Sequence, residues 1–168
     1  AVNHFFGAAS LETEDAVLHL DRTLADLLSY IDEHIGLEHT VIALSADHGA
    51  AELPEYMAGF GYDSGRLFTR EVMTTVENIT EEEFGHGGLA RFYYRPYVYL
   101  DDDAIEDAGL DRNVVRETIA ERLTREPGIH LAATRRMMEG WPDEKLLNQI
   151  RNNYHPARAG DIYVVQNP

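Results

Sequence analysis

Thr40-Val41-Ile42-Ala43-Leu44-Ser45-Ala46-Asp47-His48-Gly49 is the stretch of this 168-residue chain that decides its reading. The run 40–45 is uncharged, apolar and rich in β-branched residues, the make-up of a strand buried on both faces. It stops at the polar loop Ala46-Asp47-His48-Gly49. Just upstream, Val17, Leu20, Leu24, Leu27, Leu28, Ile31 and Ile35 recur at spacings of three and four, which predicts a helix over 11–35 with one apolar face. Ser10 is placed to cap it, Glu12, Glu14 and Asp15 suit its positive end, and Gly36 suits its stop. A helix followed closely by a buried strand is an α/β unit, and open α/β sheets bind ligands at the carboxyl ends of their strands. The fold class read here is α/β.

Further along, 52–88 is broken by Pro54, Gly59, Gly61, Gly65, Gly85, Gly87 and Gly88. It reads as a surface excursion or small cap, with brief helices over 54–58 and 68–76. The run 91–100 is aromatic and extended, with Pro96 marking an edge position or a break. Asp111 caps a helix through about 125, ended by Pro127-Gly128. A strand over 129–133, a helix over 142–152 with Pro142 in its first turn, and a strand over 161–165 complete the pass.

Fourteen basic against 30 acidic residues give a formal net charge of −16. Proteins that grip a phosphate backbone need clustered Lys and Arg, so nucleic-acid binding and attachment to anionic membranes are poor expectations. The absence of cysteine removes disulfides, thiolate metal sites and thiol nucleophiles, leaving His, Asp and Glu as metal ligands. No run approaches the roughly 18 apolar residues of a membrane span. The chain begins at Ala1 without a methionine and is read as processed or as part of something longer. Lys145 is its single lysine. Surplus carboxylate with so little lysine suits a surface hydrated in concentrated salt, where repulsion is screened; codon bias and an ordinary acidic surface would give the same composition.

Four groups could carry chemistry: His4, Asp47-His48, His155 within Asn152-Asn153-Tyr154-His155-Pro156, and Asp101-Asp102-Asp103. Asp47-His48 stands out because a buried strand delivers it, and a carboxylate with an imidazole can bind zinc at about 2.0–2.2 Å. An Asp-His pair is also ordinary loop chemistry. The triple aspartate lacks the glycine and spacing of a calcium loop and reads as a solvated turn before a helix. His19, His34, His39 and His130 read as structural, and His86 as a loop residue between glycines.

The stretch His4-Phe5-Phe6-Gly7, then Ser10-Leu11-Glu12-Thr13-Glu14-Asp15, Leu20-Asp21, Ser45-Ala46-Asp47-His48-Gly49 and the closing Asn153-Tyr154-His155-Pro156 with Arg158, Gly160 and Asp161 resembles the alkaline phosphatase superfamily. Its bacterial phosphate-irrepressible phosphatases and type I phosphodiesterases are the most similar branch. The resemblance runs over all of 1–168. It implies part of one three-layer α/β/α catalytic domain, with the amino-terminal half missing. It implies two divalent metals, most often zinc, with His4 and His155 on one and Asp47 and His48 on the other. The nucleophile and further aspartate ligands would lie upstream, so no catalytic nucleophile is assigned here and the chain alone is expected to be inactive.

The implied activity of the parent is a metal-dependent phosphoric-ester hydrolase acting on small phosphate esters, in the periplasm or outside the cell. A phosphodiesterase or nucleotide pyrophosphatase is the alternative within the superfamily. A non-catalytic acidic binding module is the rival from another class. The oligomeric state is not legible.

Overall fold

Asp101 and Asp111 each begin a helix by offering a carboxylate to backbone N–H groups, and the helix begun at Asp111 anchors the larger core of the chain. The computed structural model describes residues 2–140 and 145–167. The chain divides into two compact units, Ala1–Ser64 and Gly65–Pro168.

In the first unit, α1 (Val2–Phe6) turns into α2 (Leu11–His34), and a 3₁₀ turn (Leu37–His39) and a short helix, α3 (Pro54–Gly59), follow. Ser10 caps α2 as its position predicts, accepting from the Thr13 N–H at 3.1 Å. Gly7 makes the entry turn at φ +90°, a backbone region that disfavours residues with a Cβ. Its carbonyl accepts from the Ser10 and Thr13 hydroxyls at 2.9 and 2.8 Å. Among the described residues of this unit Gly7 alone is buried.

The predicted strand 40–45 is corrected. Residues 40–45 have no regular secondary structure, and Val41 and Leu44 are 97% and 84% exposed. The composition suits a two-sided interior strand, but a parallel strand gets both its hydrogen bonds and its burial from neighbours. Among the described residues no strand pairs with it. The apolar face of α2 is likewise open at Val17, Leu20 and Leu27.

The second unit holds the sheet. Strands β1 (Ala90–Tyr94) and β2 (Tyr97–Leu100) form an antiparallel hairpin around the cis Arg95-Pro96 bond, where the sequence placed a break. With β3 (Ile129–Thr134) and β4 (Ile162–Gln166) they give the order β1-β2-β4-β3, every pair antiparallel. Among the described residues, four helices fall between β2 and β4 along the chain: α5 (Asp102–Asp107), α6 (Arg112–Leu123), α7 (Arg135–Gly140) and α8 (Lys145–Asn153).

The segment 52–88 divides in two. Its first part carries the exposed α3, whereas α4 (Thr69–Phe84) is longer than the sequence suggests and buries Val72, Val76 and Ile79. These pack with Val115, Ile119 and Leu123 of α6 and with Val98, Ile162 and Val164 of the sheet. Alternation along β4 sends Tyr163 and Val165 to the opposite face, where Met138, Leu147 and Ile150 of α7 and α8 cover them. The predicted helix over 142–152 is described from Lys145; its expected start at Pro142 lies outside the described residues.

The Asp111 carboxylate accepts from the Asn113 and Val114 N–H groups at 2.8 and 3.1 Å. Loss of such a cap costs about 1 kcal/mol. Asp111→Ala is therefore expected to lower the urea midpoint with an unchanged slope; an unmoved midpoint would show that tertiary packing alone holds the start of α6.

Candidate metal site

In the first unit, His4 on α1 and the Asp47-His48 loop are brought together. The His4 and His48 rings meet edge to face with centroids 5.3 Å apart. They border a shallow cleft of about 170 Å³ also lined by Asn3, Gly49, Ala50 and Leu53. The pairing was not predictable from spacing, because 43 positions of chain separate His4 from Asp47.

Asp47 and His48 are oriented by the backbone. Asp47 Oδ1 accepts from the His48 N–H at 3.0 Å, and His48 Nδ1 stands 2.6 Å from the Gly49 carbonyl. A carbonyl can only accept, so Nδ1 carries the proton and Nε2 is left with its lone pair in the neutral ring. Nε2 lies 3.4 Å from Asp47 Oδ2. The His48 backbone N–H, then the His48 ring and more weakly His4, hold the Asp47 carboxyl below the usual carboxylate range. An anionic oxygen thus stands beside a nitrogen lone pair, and both are exposed enough for a metal ion to reach them.

The spacing suits a metal. Two zinc ligands at about 2.0–2.2 Å, set at a tetrahedral angle, stand about 3.3–3.6 Å apart. The pair fits as one edge of a metal centre. Among the described residues no group of three or more His, Asp or Glu side chains forms a complete cage. The remaining ligands of such a centre are therefore not gathered around this edge.

His155 lies in the second unit, in the turn after α8. Its carbonyl accepts from the Arg158 and Ala159 N–H groups at 3.0 and 2.8 Å. The ring behaves unlike that of His48: Nδ1 accepts from the Ala157 N–H at 3.3 Å, which places the neutral ring's proton on Nε2. Ligation through Nε2 needs that contact released. Gly160 lets the turn approach β2, since a Cβ there would sit 2.6 Å from Tyr97 Cβ and 2.9 Å from the Val98 carbonyl oxygen. Asp161 is the peg that holds it, with a side chain only 10% exposed. It accepts from the Leu100 N–H at 2.8 Å, from Arg116 Nε at 2.8 Å and from Arg112 at 3.1 Å. Arg112 and Arg116, four apart and so on one face of α6, are the signal the sequence offered for this clamp.

Asp101 of the triple aspartate is a helix cap, accepting from Ala104 N–H and bound by Arg91 at 3.0 Å. The Arg91 guanidinium first, and the Ala104 N–H after it, keep its carboxyl below the usual range.

The chain is mixed α/β, and sequence comparison gives its family. The chain belongs to the type I phosphodiesterase / nucleotide pyrophosphatase family of the alkaline phosphatase superfamily, matching it over residues 1–168. It is 30% identical over 165 residues to alkaline phosphatase PafA of Elizabethkingia meningoseptica, covering 98% of this chain and 30% of that protein. Alkaline phosphatase PhoV of Synechococcus elongatus is also 30% identical, over 168 residues, with 98% and 30% covered. The crystal structure of wild-type PafA matches with a TM-score of 0.87 at 27% identity, over 99% of this chain and 32% of that one. The chain thus spans about 30% of the length of these relatives. Among the described residues no helix is long and apolar enough to cross a membrane.

Proposed function

We propose that the protein to which these residues belong is a metal-dependent phosphoric-ester hydrolase of the alkaline phosphatase kind, acting on small phosphomonoesters in the periplasm or outside the cell. The observation that carries this reading is the Asp47 Oδ2–His48 Nε2 edge at 3.4 Å, with the His4 ring beside it. Asp47 and His48 would hold one divalent metal, zinc as the family resemblance implies, and the same resemblance gives His4 and His155 to a second. When bound, a metal pair supplies positive charge to the oxygens that enter and leave phosphorus.

The chain's own residues prepare that chemistry. The His48 N–H keeps Asp47 ionised and turned toward the ring, and the Gly49 carbonyl fixes the His48 proton on Nδ1. Among the described residues, Ser10 and Ser64 are engaged in local hydrogen bonds rather than set as nucleophiles. Ser10 is bound to the Gly7 carbonyl and Thr13, and Ser64 donates to the Pro54 carbonyl at 2.7 Å. The nucleophile and the remaining ligands would come from the portion of the parent protein that these residues do not include.

The family's description favours a second reading, a phosphodiesterase or nucleotide pyrophosphatase using the same residues. Turnover of p-nitrophenyl phosphate against bis-p-nitrophenyl phosphate, with added zinc, separates the two. The 168-residue chain is expected to be inactive on both, and a chain extended upstream to the relatives' length to prefer the monoester. Inactivity of the extended chain on both would leave the acidic binding module as the better account.

A further inference from the structure

A cleft of about 450 Å³ in the second unit lies within the usual size range of a small-molecule site; none of His4, Asp47, His48 or His155 lines it, although Tyr154 and Pro156, on either side of His155, do. Its walls carry Arg112, Arg116, Arg135 and Arg136 against Glu117 and Asp161. Four of the chain's 14 basic residues thus line one cleft of a protein whose net charge is −16. We infer that this cleft is a binding site for a small multivalent oxyanion, with a diphosphate as a fitting size.

The four arginines are not equivalent. Arg112 and Arg116 are fixed on the nearly buried Asp161, Arg112 also on Asp102 at 2.7 Å, and form a rigid wall. Arg135 and Arg136 stand at the start of α7, and their present partners are weak. Arg135 holds Glu139 one helical turn away, with both side chains more than half exposed. Arg136 is 78% exposed and reaches Glu117 at 3.4 Å. Exposed ion pairs contribute little, whereas a guanidinium fork on an oxyanion makes two parallel charge-assisted bonds. An incoming anion can therefore displace Glu139 and Glu117. Glu117 is the internal competitor: it occupies Arg136 and repels the ligand.

This fixes the sign of two opposite substitutions. Isothermal titration of the 168-residue chain with inorganic pyrophosphate, in low salt with EDTA to remove divalent metals, is expected to show saturable binding. Arg135→Gln together with Arg136→Gln should weaken it at least about tenfold, the loss of one strong paired contact. Glu117→Gln should tighten it. All three side chains are at the surface or partly so, and circular dichroism would confirm that each variant keeps its fold. Acetate, with one charge, should not compete. No saturable binding, binding indifferent to the double substitution, or weaker binding in Glu117→Gln would each overturn the proposal. EDTA keeps the outcome independent of the metal centre.

Discussion

In the protein extended to the length of its relatives, Asp47→Ala is expected to lower kcat/KM for p-nitrophenyl phosphate by roughly three powers of ten or more, with excess zinc failing to restore it. The reason lies in how Asp47 is used. One carboxylate oxygen is taken by the His48 N–H, and the other stands 3.4 Å from the ring nitrogen that the Gly49 carbonyl leaves unprotonated. Alanine removes the negative charge and the contact that aims the ring, so His48 loses the charged partner beside it. Parts of a catalytic unit act together, so losing one forfeits most of what the others contribute. Asp47→Asn separates the two causes. It can still accept from the His48 N–H but has no charge, and activity as low as that of alanine would assign the loss to charge. Retention of activity within tenfold of the parent in Asp47→Ala would sink the metal reading.

Asp161→Ala should cost the second unit about 2–3 kcal/mol. Breaking a buried ion pair from one side costs about 3–5 kcal/mol, and the lower figure reflects the partial exposure of Arg112 and Arg116. The substitution strips the acceptor from the Leu100 N–H and leaves Arg116, 26% exposed, without its carboxylate. Urea unfolding followed by circular dichroism is the measurement. Asp161→Asn keeps an acceptor for Leu100 and should lose less. A shift below about 0.5 kcal/mol, the ordinary size of a surface change, would show that Gly160 and the Asp161 N–H to Val98 carbonyl bond hold the turn unaided.

What the sequence revealed follows from what each pattern encodes. The three-and-four spacing of α2 and the Ser10 cap are local, and both are found where they were read. The run 40–45 encodes a demand for burial, and burial depends on neighbours that local composition does not contain. Val72, Val76 and Ile79 carry helical spacing too, but the surrounding glycines hid it, so α4 reads shorter than it is. Helix α7 has only six residues, too few for a period to appear. At the candidate site, Asp47-His48 was legible because adjacent residues form it. The approach of His4 and the Arg112–Arg116–Asp161 clamp depend on tertiary folding; only the i,i+4 arginines left a trace.

The open run Val41-Ile42-Ala43-Leu44 has a consequence for the behaviour of many copies in solution. An uncharged, β-branched, proline-free segment with unpaired backbone is a template for cross-chain sheet formation. A charge of −16 opposes the approach of two such chains. Near 1 M salt the Debye length contracts to about 3 Å, and that mutual repulsion is screened away at the distances where chains meet. Salt should therefore act in opposite directions, firming each acidic chain while releasing its copies to self-associate. Turbidity is expected to climb with sodium chloride and with protein concentration together, and Ile42→Lys, a gatekeeper charge in the middle of the run, should suppress it.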